Sequence, residues 1–188
     1  MSSPALNLSP LPRALPAWSY SHPEMTRLEY ERILKPSWQI VCHVNSIPAP
    51  GDFVTLDLGP DSVVALRNSQ GQIQVFHNVC RHRGARILDG VNNTQAGHCP
   101  GTITCPYHGW SYRLSGELIG MPVRESFPGL DRTQHGLKPV RMCIAFGFVF
   151  ICLAGEPPPL EALWGSFLED FADHRVETMQ PLGPLYIE

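Results

Sequence analysis

A mainly β domain of antiparallel strands with a helix at each end is the fold class this sequence predicts. Three observations carry it. Six short runs of β-branched and aromatic residues are bounded by turn residues. Tight-turn signals separate two neighbouring pairs of these runs. Apolar residues at helical spacing lie near the two ends of the chain. In order, residues 1–21 read as an extended arm, with Pro4, Pro10, Pro12 and Pro16 fixing φ. His22-Pro23-Glu24 opens a helix running to about residue 35, and Pro36 ends it. Strands follow at 38–44, 53–58, 63–67 and 73–77, with Asn68-Ser69-Gln70-Gly71 turning a hairpin between the last two. Another pair, 140–145 and 148–153, is broken by Phe146-Gly147, and Pro157-Pro158-Pro159 closes the β unit. Beyond it Leu160, Leu163, Trp164, Phe167, Leu168 and Phe171 recur at helical spacing and predict one helix over 160–172. The final residues, 184–188, read as the start of a further strand.

Composition narrows the function. A chain of 188 residues, 43% of them hydrophobic, buries a real core in one domain with flanking pieces. A net charge of −3 without a basic stripe excludes nucleic acid as a partner. The longest apolar run, residues 142–154, contains Gly147 and is too short to span a bilayer. The Pro-rich start has no basic-then-apolar segment, so no membrane association and a cytoplasmic location are expected. Cys42, Cys143 and Cys152 sit inside apolar strand-like runs, where free Cys behaves as a small hydrophobe.

Chemistry concentrates in two loops. One reads Cys80-Arg81-His82-Arg83-Gly84, the other Cys105-Pro106-Tyr107-His108-Gly109-Trp110. A thiolate and an imidazole from each loop supply what a Rieske [2Fe–2S] centre needs, two thiolates on one iron and two imidazoles on the other. Glycine after each His permits positive φ, so backbone N–H groups can approach the bridging sulfides. A structural zinc site also draws on two Cys and two His, but its pairs usually have two or more intervening residues on the Cys side, and Cys80-x-His82 is shorter. A redox or nucleophilic pair would leave the second loop unexplained. Cys99 lies six positions before Cys105 with no His at ligand spacing, and reads as a spare thiol in a loop. Trp110 and Tyr107 are either packing aromatics or shields for the cluster.

At these residues the chain resembles the large (alpha) subunit of the Rieske-type ring-hydroxylating oxygenases, and specifically its N-terminal Rieske domain. Phe76-His77-Asn78-Val79 before the first loop and Gly116-Glu117-Leu118 after the second extend the resemblance. Twenty-two residues separate His82 from Cys105, a few more than is usual, and the excess around residues 92–101 reads as an extended surface turn. The resemblance implies a Rieske-type antiparallel β-sandwich with a cluster-binding subdomain at one tip; residues 119–122 read as a third loop that caps the cluster. It divides the chain into an arm and helix at 1–37, the Rieske [2Fe–2S] domain at 38–156, and a helix and linker at 157–188. Cys80, His82, Cys105 and His108 are the implied ligands. Respiratory Rieske proteins add a disulfide between the loops; here those positions are Ala85 and Tyr107, and their hydroxyl donor is replaced by Trp110. Fewer hydrogen bonds to the cluster imply a potential near the low end of the Rieske range, about −150 mV.

The family activates O₂ at a separate mononuclear Fe(II) held by two His and a carboxylate. None of His22, His43, His77, His98, His135 and His174 forms such a set, and the Asp170, Asp173 and His174 group reads as a solvated surface. The expectation is an alpha subunit cut before its oxygenation domain, itself without catalytic residues. Its implied partners are a ferredoxin or flavin reductase and the catalytic domain, within a trimer. A free-standing Rieske ferredoxin is the alternative, although such carriers commonly lack the arm and the helix after Pro159.

Overall fold

β3 (Asp61–Arg67) is the organising strand, because both of its faces are buried. In the computed structural model, which describes residues 14–90, 95–165 and 167–183, it lies inside a four-stranded antiparallel sheet. Its neighbours are β2 (Asp52–Leu58) and β4 (Ile73–His77), and β5 (Ala96–His98) pairs with the far side of β2. Val63 and Ala65 point one way, with Val75, into a core shared with Ile47, Val140, Val149 and Ile151. Val64 and Leu66 point the other way, with Phe53 and Phe76, into a second core that contains Ile103, Tyr112, Leu114 and Leu118. A two-faced strand must be apolar at every position, which is why 63–66 shows no alternation.

The first core is closed by a three-stranded sheet in which β10 (Phe148–Cys152) runs between β1 (Gln39–His43) and β9 (Arg141–Ala145). Phe146 and Gly147 both take positive φ, 52° and 76°, as a two-residue hairpin turn requires. The second core carries a small sheet of β6 (Thr102–Thr104), β7 (Ser111–Arg113) and β8 (Leu118–Gly120). The six strands read from sequence are present within a residue or two of their expected ends. The four others, β5 to β8, have three residues each, too few for an alternating pattern to show.

Both ends differ in detail from the sequence reading. The N-terminal helix begins as α1 (Pro23–Glu29), its first turn capped by the His22 side chain accepting from the Glu24 N–H at 3.2 Å. It finishes as a π-helical turn, Tyr30–Leu34, which buries Tyr30 against Gly59 and lets its hydroxyl donate to Asp61. The predicted 160–172 helix is two helices, α2 (Leu160–Trp164) and α3 (Phe167–Ala172). Gly165 breaks it at φ 47°, a conformation no right-handed helix continues. α2 docks by stacking Trp164 on Phe146 at 5.3 Å between ring centroids. Ala17–Tyr20 forms a 3₁₀ turn, so the arm is not extended there. Residues 1–13 of the arm and the predicted strand at 184–188 lie outside the described residues.

The surface turn expected over 92–101 is corrected in part. Residues 91–94 are outside the described set, but Ala96–His98 is β5, paired with Asp52, Phe53 and Val54. Cys99 follows it in a short connecting loop, where it is buried. Its N–H donates to the Gly51 carbonyl at 2.8 Å, and burial pushes its thiol up to about 11. That fits an inert core thiol.

Candidate metal centre

Each of the two loops is the end of a small hairpin, and the two ends share one hydrogen-bond frame. A bridge between Val79 and Arg86 encloses residues 80–85; the Thr104–Ser111 pair of β6 and β7 encloses residues 105–110. Cys80 N–H donates to the Ala85 carbonyl at 2.8 Å, and Gly84 N–H donates back to the Cys80 carbonyl at 3.0 Å. In the second loop Cys105 N–H donates to the Trp110 carbonyl at 2.8 Å, and Gly109 N–H to the Cys105 carbonyl at 3.0 Å. Gly84 and Gly109 both sit at positive φ, 71° and 70°, where a Cβ would be strained. The matched frames differ only in where the imidazole is mounted, two positions after Cys80 and three after Cys105.

The structure sorts the four predicted side chains by depth. Cys80 and Cys105 are 3% and 2% exposed and belong to the second core, whereas His82 is half-buried and His108 exposed. The imidazoles meet at 4.8 Å between centroids. Burial pushes the Cys80 thiol up, hydrogen bonds from Tyr112 and the His82 backbone pull it down, and the nearby Cys105 raises it again. Burial, helped by the charges of His108 and Arg83, lowers the pKa of His82, which keeps the imidazole neutral. A neutral imidazole is the form that binds a metal, and a thiol must lose its proton to do so.

Trp110 and Tyr107, left open by the sequence, part company. Trp110 is buried and stacks on His82 at 4.9 Å with the planes 10° apart. Tyr107 is 61% exposed, its ring against His108 at 3.7 Å. The 119–122 stretch is the end of β8 followed by Met121, which packs on the second core, and Pro122, whose Cγ lies 3.1 Å from where a Cβ on Gly109 would stand. The group at Asp170, Asp173 and His174 is exposed, as read from sequence.

Three contributors escaped the sequence reading. Tyr112, fully buried, accepts from the Arg81 N–H at 3.1 Å, and its hydroxyl lies 3.3 Å from Cys80 Sγ. With its lone pairs facing that N–H, the hydroxyl proton is free to point at the sulfur. Phe127 packs nearly perpendicular to both His82 and Trp110, from a charged segment that carries no pattern. Asn78 ties down the base of the first loop. Its Oδ1 accepts from the Leu88 and Ile87 N–H groups, and its Nδ2 donates to the Leu88 carbonyl at 2.7 Å. Asn78→Ala orphans these buried groups, at a cost of about 3 kcal/mol. Thermal denaturation should show that loss, and any bound chromophore should bleach first; an unchanged melting curve would contradict the anchor.

A β-sandwich that carries two matched hairpins, each offering one Cys and one His, defines the class of iron–sulfur electron-transfer domains. The chain belongs to the Rieske [2Fe-2S] domain family, whose model matches residues 37–135, more than half of the chain. That domain carries a [2Fe–2S] cluster, and the donor set here fits it. The chain is 36% identical over 169 residues to the glycine betaine monooxygenase oxygenase subunit of Chromohalobacter salexigens, covering 89% of this chain and 36% of that protein. It is 35% identical over 173 residues to the naphthalene 1,2-dioxygenase large oxygenase component of Pseudomonas aeruginosa, covering 88% and 37%. Among solved structures, a quaternary ammonium Rieske monooxygenase superposes with a TM-score of 0.79 at 26% identity, over 90% of this chain and 46% of that one. Naphthalene 1,2-dioxygenase with bound indole gives 0.70 at 34% identity, over 79% and 33%. The chain spans about a third of the length of the curated relatives it matches. No helix of the described residues is long and apolar enough to cross a membrane.

Proposed function

We propose that Cys80 and Cys105 hold one iron, and His82 and His108 the other, of a Rieske [2Fe–2S] cluster. On this reading residues 38–156 are the electron-entry domain of a ring-hydroxylating or N-demethylating non-haem iron oxygenase. Residues 1–37 are its arm and helix, and 157–188 lead toward a catalytic domain. The observation that carries this is the pairwise sorting of donors, thiols inside and imidazoles at the tip. A tetrahedral zinc would need all four donors on one ion. A two-iron cluster needs them only in pairs.

Bound there, the cluster takes up and passes on one electron at a time. The chain's own side chains set the terms. Exposed His108 presents its ring to a partner, while Trp110 and Phe127 keep water from His82. The electron donor is a ferredoxin or flavin reductase, and the acceptor a mononuclear iron in the catalytic domain of a trimer. The setting is cytoplasmic, where cysteines outside metal sites stay reduced. Similarity to oxygenase subunits extends through 89% of the chain, beyond the 37–135 core, and favours this over a free-standing ferredoxin.

The test is elemental and spectroscopic. Purified chain should contain two irons and two acid-labile sulfides, and reduced nicotinamide cofactor with a flavin reductase should bleach its visible absorption. One zinc per colourless chain would overturn the reading. Tyr112→Phe removes the hydroxyl beside Cys80 and should lower the potential. A hydrogen bond that favours the reduced state by about 1 kcal/mol corresponds to ~40 mV for one electron. An unshifted potential would show that Tyr112 does not reach the sulfur in the loaded protein.

A further inference from the structure

Beside the first loop lies a cavity of about 270 Å³ lined by His77, Val79, Arg81 and Lys138. Three of these four side chains are basic, in a chain whose net charge is negative. Their meeting is built into the fold. His77 ends β4, and its N–H donates to the Lys138 carbonyl at 2.9 Å. Phe76 bridges to Pro139 alongside, so the 138–139 segment is zipped to the end of that strand. Arg81 is held from the other side by its own N–H, donated to the Tyr112 hydroxyl.

The cavity lacks an acid of its own. Among the described residues no ion pair is formed by Arg81 or Lys138; Arg27, Arg113 and Arg141 have one partner each and Lys35 and Arg86 two, while Arg32, Arg67, Arg83, Arg124, Arg132 and Arg175 also form none. Asp61 acts on His77 electrostatically, but its carboxylate already receives the Tyr30 hydroxyl and lies 3.8 Å from Lys35 Nζ. Arg81 Nε is buried with no hydrogen-bond partner. The guanidinium fork matches the planar edge of a carboxylate or two phosphate oxygens.

We propose that this cavity is a binding site for one small oxyanion, a carboxylate or a phosphate, held by Arg81 and Lys138 with His77 completing the wall. Its size suits a single such group and not a drug-sized ligand. Burial lowers the His77 pKa, so at neutral pH the ring contributes a hydrogen bond more than a charge. A bound anion would stand beside the residue that links Cys80 to His82. The site does not depend on the cluster assignment; only an effect of the anion on the potential would rest on it.

The experiment is calorimetric titration of the purified, cluster-loaded chain with inorganic phosphate and, separately, with sodium acetate. Sodium chloride at matched ionic strength gives the baseline, with the Lys138 amide signal in NMR as a second readout. Saturable binding is expected with at least one oxyanion, weakened about fivefold or more by Lys138→Gln, whose exposed side chain leaves the fold intact. Arg81→Gln should weaken it further. Tighter acetate binding assigns the site to carboxylates, and tighter phosphate binding to phosphates. Responses that merely follow ionic strength, or saturable binding that neither variant changes, would overturn the site. Loss of affinity in a variant that still reduces normally separates this outcome from failure of the electron-transfer reading.

Discussion

Serine in place of Cys80 or Cys105 is expected to give a colourless chain with little bound iron. Both sulfurs lie inside the second core at 3% and 2% exposure, each closing its hairpin turn. Serine keeps the shape but supplies a hydroxyl that at neutral pH holds its proton, where the metal needs a thiolate. The apo loops then retain only their backbone frame, the Cys80 N–H to Ala85 and Cys105 N–H to Trp110 bonds. Because metal affinity is also folding free energy, a lower melting temperature should accompany the lost colour. His82→Cys or His108→Cys should behave otherwise, keeping a cluster at lower potential, since thiolate donates more charge than neutral imidazole. Iron, sulfide and visible absorption decide the matter. Full iron content in either serine variant would remove that cysteine from the ligand set.

Phe76→Ala should be the most damaging core truncation near the site, destabilising by about 3–5 kcal/mol. That is a large share of the 5–15 kcal/mol that roughly bounds the stability of a single domain. Phe76 sits four residues before Cys80 on β4, and its ring fills the space that a Cβ on Gly116 would occupy, 2.6 Å away. It thereby presses the strand entering the first loop onto the β7–β8 turn leaving the second. Truncation opens a cavity between the two halves of the candidate metal centre, so bleaching on heating should precede global unfolding. Val75 is the control, buried on the opposite face in the sandwich core. Val75→Ala should lower stability less and leave bleaching and unfolding coincident. Early bleaching in both variants, or in neither, would refute a separate role for the second core.

The legible parts of the molecule are those with short-range chemistry. Cys80, His82, Cys105 and His108 stood out because each pair lies within three positions, with a glycine that only a turn would need. The long strands stood out because β2 to β4 and β9 to β10 are adjacent in sequence, joined by turns with their own residue signature. The 160–172 helix was misjudged because apolar spacing runs on through Gly165, while the backbone there does not.

What the sequence by itself determined is therefore the candidate donor set, the antiparallel β class and the flanking helices, since each is written within a few neighbouring residues. Only the tertiary structure decided how those four side chains are arranged. It matched the two hairpins as one repeated frame, buried the thiols and raised the imidazoles to the tip. It brought the Tyr112 hydroxyl to Cys80 from thirty-two positions away, set Phe127 against His82, and gathered His77, Arg81 and Lys138 around one cavity. Those contacts follow from strand register and from β3 being covered on both faces. Register is fixed by the packing of whole sheets, which no local run of residues records.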